Sequence, residues 1–124
     1  MKAAVYTRYG PPDVLETFLE EPALFDAYIA LSPSLWWNGG ALVRGAAGRL
    51  KSRPRSAVTV YFATAGDDGL EDPARDLSEA LRAAPPKGLT WYFERFPQEK
   101  HSTIYGAVSP AVFRKMFPPA RRRR

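Results

Sequence analysis

Histidine occurs once in the sequence, as His101, inside the polar stretch Pro97-Gln98-Glu99-Lys100-His101-Ser102. An imidazole titrates near neutral pH, so it can take up and return a proton within one reaction cycle. Earlier in the chain, Asp67, Asp68, Glu71 and Asp72 crowd together. A carboxylate beside an imidazole orients the ring and stabilises its cationic form, which is the acid–histidine side of a catalytic triad. Asp72 stands directly before Pro73 at the head of a helical pattern and is expected to be a helix cap. Asp67, Asp68 and Glu71 remain as three candidates for the acid. The plain alternative is a turn for the carboxylates and a loop position without a role for the histidine.

The third member of such a triad has no obvious occupant. Serine hydrolases of the α/β class display the nucleophile in a G-x-S-x-G elbow between strand and helix. Ser32, Ser34, Ser52, Ser56, Ser78, Ser102 and Ser109 all lack those flanking glycines. The chain has no cysteine, which excludes thiolate chemistry, disulfides and cysteine-ligated zinc. A lone histidine without H-E-x-x-H spacing makes no metal site, and neither metal nor cofactor is expected. Trp36 and Trp37 are adjacent in a loop. They either pack beneath it or wall an apolar pocket for an ester's acyl or aromatic group.

The elements that must position these residues alternate. Residues 1–10 read as a short strand or extended arm, ended by Gly10-Pro11-Pro12. Asp13 opens a helical stretch with Val14, Leu15, Phe18 and Leu19 on one side, and Pro22 ends it. Ala27–Leu31 reads as a buried strand, and Asn38–Leu50 as a helix whose first turn is weakened by Gly39 and Gly40. Ala57–Ala63 is β-branched and aromatic, the strongest strand pattern in the chain. A helix should follow from Asp72, with Ala74, Leu77, Leu81 and Ala84 facing inward, then a strand over Leu89–Phe96. Ser109-Pro110 is expected to start the last helix. Strands alternating with crossover helices imply an α/β fold, its parallel sheet covered on both faces. Its functional groups should gather where the strands end.

The length of 124 residues suits one compact domain, and 45% hydrophobic content supplies a core. Net charge is +5, but four positive charges are Arg121 to Arg124, so the rest of the chain carries +1. A nucleic-acid-binding surface needs its basic residues on a folded face, so no nucleic-acid partner is expected. No apolar run approaches a membrane span, and residues 1–8 lack a signal peptide's pattern. A cytoplasmic location without membrane contact is the default.

Three segments resemble one family. Leu24 to Asn38, with its Ser32-Pro33-Ser34-Leu35-Trp36-Trp37 run, is similar to a stretch of the esterase D and enterochelin-esterase-like α/β-hydrolases. Tyr61 to Asp67 resembles their acid-bearing strand and loop, and Phe93 to Ser102 their histidine loop. The resemblance implies the C-terminal half of an α/β-hydrolase fold, with a three-stranded parallel sheet, flanking helices and an N-terminal arm. It further implies a serine-type carboxylic-ester hydrolase acting on small esters, with His101 as its histidine and the acid among Asp67, Asp68 and Glu71. Met1 to Leu15 instead resembles the opening of a quinone-reductase-like medium-chain dehydrogenase. No G-x-G-x-x-G nucleotide loop follows it.

The expected organisation is therefore an unrelated arm over residues 1–16, a partial hydrolase domain over 17–118 and a basic tail over 119–124. Without a nucleophile the fragment should be inactive alone. The alternative is a non-catalytic interaction module. It would self-associate through an exposed sheet edge or pair with a nucleophile-bearing chain.

Overall fold

The computed structural model describes residues 3–6 and 13–118. The segment 7–12 and the arginine tail lie outside the described residues. The order is β1 (Ala3–Tyr6), α1 (Asp13–Glu20), β2 (Ala27–Leu31), α2 (Trp37–Ser52), β3 (Val58–Ala65), α3 (Glu71–Ala83), β4 (Leu89–Phe96) and α4 (Ile104–Met116). The three parallel strands expected over residues 27–96 are present, and residues 3–6 of the arm add a fourth. The sheet order is β1-β2-β3-β4, parallel throughout.

That order determines the layering. Each crossover steps one strand in the same direction, and parallel crossovers are right-handed, so the connecting helices all fall on one face. Val14, Leu15 and Phe18 of α1, Leu42, Ala46 and Leu50 of α2, and Ala74, Leu77 and Leu81 of α3 join Tyr28, Val60 and Phe62 in one core. The opposite face is packed by α4, whose Ile104, Val108 and Val112 meet Ile29, Leu31, Tyr61 and Ala63. Both faces are covered, as expected, but unequally.

Three local expectations change. α3 begins at Glu71, so Asp72 lies inside its first turn and pairs with Arg75 at 2.9 Å; it does not cap the helix. α4 starts at Ile104, well before Ser109, and carries Pro110 within it. Burial of the Ile104–Val108–Val112 stripe outweighs the one backbone hydrogen bond a proline forfeits. In α2, Asn38, Gly39 and Gly40 take left-handed backbone angles, so a kinked turn precedes the regular helix. No helix among the described residues is long and apolar enough to cross a membrane.

Candidate active site

The loops that follow β2, β3 and β4 meet at the carboxyl edge of the sheet. Gly66, directly after β3, donates its N–H to the Glu99 carbonyl at 2.8 Å. A Cβ on Gly66 would run into the Pro97 carbonyl, so only glycine allows the two loops this close. With the loops joined, Asp67 Oδ1 accepts the backbone N–H of His101 at 2.8 Å. Asp67 thus holds the histidine's main chain.

Asp68 reaches the imidazole through Ser32. The Ser32 hydroxyl donates to Asp68 Oδ2 at 2.8 Å, and His101 Nδ1 lies 2.7 Å from the same hydroxyl oxygen. Asp68 is itself held by two backbone donors: Ala65 N–H to Oδ2 at 2.6 Å and Leu70 N–H to Oδ1 at 3.1 Å. These bonds satisfy the N–H groups of Ala65, where β3 ends, and of Leu70, the residue before α3. Ser32 is 1% exposed. Its backbone is left-handed, at φ 51°. For a residue with a Cβ that conformation costs about 1–2 kcal/mol. The Ser32 N–H bond to the Ala63 carbonyl at 2.7 Å, together with the two side-chain contacts, offsets it.

The remaining sequence candidates stand apart from this chain of contacts. Glu71 pairs with Arg95 at 3.2 Å, and both side chains are largely exposed. A cleft of ≈ 310 Å³ opens beside the acid loop, lined among others by Thr64, Asp68, Glu71, Arg95, Phe96 and Pro97. Trp36 and Trp37 are exposed, their rings tilted against each other at 5.8 Å, on the loop that also carries Ser32. They do not line that cleft. Among the described residues no His, Asp and Glu side chains group to hold a metal ion. The largest displacement of an ionisation equilibrium lies elsewhere. Burial, with the Glu94 carboxylate adding to it, pushes the Tyr61 phenol well above the ordinary tyrosine value. The Tyr61 hydroxyl is buried on the side of that carboxylate.

The roles of Ser32 and Gly66 in these contacts are not evident from residue type alone. Ser32 lacks an elbow's glycines, which speaks against a nucleophile but not against a positioning role. A usable signal was its position immediately after a buried parallel strand, at the same sheet edge as the acid and histidine loops. Gly66 had its signal in following the best strand directly, where close backbone approach favours glycine.

The fold is similar to that of a siderophore hydrolase. The match is to EstB from Aspergillus nidulans, with a TM-score of 0.65 at 20% identity, over 98% of this chain and 51% of that one. The BES protein from Bacillus cereus gives a TM-score of 0.65 at 20% identity, over 77% of this chain and 37% of that one. The chain thus spans about half the length of the first and less than half of the second. No family model matches the chain, and no curated protein matches it. At this identity the likeness is one of fold.

Proposed function

We propose that the chain supplies the acid–histidine side of a serine-type carboxylic-ester hydrolase site. The observation that carries this reading is the contact series from His101 Nδ1 to Ser32 Oγ to Asp68 Oδ2 at the carboxyl edge of the sheet. His101 acts as the general base and then the general acid. Asp68 is the acid, Asp67 holds the histidine's backbone, and Glu71 belongs to a surface ion pair. The exposed Trp36–Trp37 pair offers an apolar surface for a small ester. The fold likeness to a siderophore hydrolase supports the class of reaction, and the order of acid before histidine agrees with it.

This sequence holds no G-x-S-x-G elbow, so the covalent step needs a nucleophile other than its own serines, and the chain by itself should not form an acyl-enzyme. The test uses p-nitrophenyl acetate. The unaltered chain should show no burst of p-nitrophenol. A variant with Gly-x-Ser-x-Gly installed in the 7–12 segment, which joins β1 to α1, should gain hydrolysis that His101→Gln removes. Hydrolysis indifferent to His101 would sink the assignment.

A further inference from the structure

We infer that Ser32 is a positioning residue. It couples His101 to Asp68 and keeps the imidazole proton on Nδ1. Its purpose in a reaction rests on the esterase reading above; the tautomer follows from the hydrogen-bond geometry.

A serine hydroxyl has one hydrogen and can accept at its lone pairs. Ser32 Oγ has two close polar neighbours, Asp68 Oδ2 at 2.8 Å and His101 Nδ1 at 2.7 Å. Both oxygens of Asp68 already receive backbone N–H groups, from Ala65 and Leu70, which matches a carboxylate that only accepts. The serine hydrogen must therefore point at Asp68. Otherwise two acceptor oxygens would face each other at 2.8 Å with nothing between them. With that hydrogen committed, the short contact to Nδ1 is a hydrogen bond only if Nδ1 carries the proton and donates it to Oγ.

The same hydrogen-bond geometry removes Ser32 as a nucleophile. A nucleophile would have to give its hydrogen to the imidazole, and it would have to be reachable, whereas this hydroxyl is buried. In a direct triad the carboxylate sets the tautomer by touching the ring. Here the hydroxyl passes that preference on. When Nε2 takes a nucleophile's proton, the imidazolium's second N–H still points at Ser32, whose hydroxyl still points at Asp68. No proton moves along the relay. Nε2 later returns its proton to the departing alkoxide, so protons balance over the cycle.

His101 is the sole histidine, so ring-nitrogen NMR of the full chain with ¹⁵N-labelled histidine reports on it without overlap. The spectrum is read at a pH where the imidazole is neutral. The expected result is a predominant Nδ1–H tautomer. A predominant Nε2–H form, the one free imidazole side chains favour, would overturn the inference with no mutation needed. Ser32→Gly removes the hydroxyl and suits a left-handed φ, and it should move the population from mostly Nδ1–H to mostly Nε2–H. An unchanged tautomer in folded Ser32→Gly would equally overturn it. In the elbow-bearing variant, Ser32→Gly should lower kcat and leave KM unchanged. Nδ1–H in the spectrum without His101-dependent hydrolysis supports the relay and fails the esterase reading. Nε2–H with such hydrolysis does the reverse.

Discussion

At the amino end of the β3–β4 pair, Gly88 lies against the Ser56 carbonyl, and at the carboxyl end Gly66 lies against that of Pro97. In each case a Cβ would collide with backbone, so glycine permits two connections to touch. The groups gathered around the two contacts are opposite in kind. At the amino end, cations donate to carbonyls. The Arg53 guanidinium reaches Pro86 and Lys87 at 3.0 and 2.9 Å, and Lys87 Nζ reaches Lys51 and Arg53 at 2.9 and 2.7 Å. At the carboxyl end, carboxylates accept from N–H and O–H groups, and an imidazole joins them. Burial lowers the pKa of Arg53, yet a guanidinium hydrogen-bonded to carbonyls has no proton to exchange near neutrality. A tightly closed sheet end is therefore not in itself a mark of a site. The mark is a titratable ring held by a side-chain partner.

This contrast can be broken by substitution. Gly88→Ala combines a collision with strain at φ 85°, and should cost on the order of 2–4 kcal/mol. Gly66→Ala should cost about 1–3 kcal/mol through collision alone. Urea denaturation measures both, and only Gly66→Ala should move the His101 ring signals. If Gly88→Ala moved them as far, the two ends would not be independent.

Asp68→Ala strips partners from the Ala65 and Leu70 N–H groups and from Ser32. A loss of about 2–3 kcal/mol is expected, with a shift of His101 toward Nε2–H. Arg53→Met removes the guanidinium from the Pro86 and Lys87 carbonyls, which keep the backbone N–H groups of Leu89 and Ser56. It should cost about 1–2 kcal/mol while the His101 tautomer stays as it was.

Between the two ends, Tyr61 offers a pH test. Its folded-state ionisation lies above the ordinary tyrosine value. As pH rises through the ordinary tyrosine range, the unfolded chain ionises first. Stability is full below about pH 10 and declines above it. Tyr61→Phe should remove part of that decline and change stability at neutral pH by no more than about 1 kcal/mol. Unfolding free energies measured across about pH 8–11 decide it. The smallest effect belongs to Glu71→Gln at an exposed ion pair. Less than about 1 kcal/mol, with no change in tautomer, separates Glu71 from Asp68.

Much of this was legible because it is local. The apolar stripe Val14, Leu15, Phe18, Leu19 announced α1, and Ala74, Leu77 and Leu81 announced the buried side of α3. Ser109-Pro110 misled because a proline beside a capping residue is a common helix start. The stripe that overrides it, Ile104 to Val112, acquires its meaning only from the sheet face beneath. The three carboxylates could not be ranked, since all lie within a few residues and each is compatible with a turn. Which one meets Ser32 depends on how the loop leaves β3.

The sequence by itself determined the alternation of strands and helices, the sole histidine following a cluster of acids, and the lack of an elbow. Residue type and periodicity are properties of short stretches. Tertiary structure alone decided that residues 3–6 join the sheet, that the three crossover helices share one face, and that Ser32 stands between His101 and Asp68. Those outcomes depend on strand register, on the handedness of crossovers, and on a missing Cβ at Gly66 that lets two loops meet.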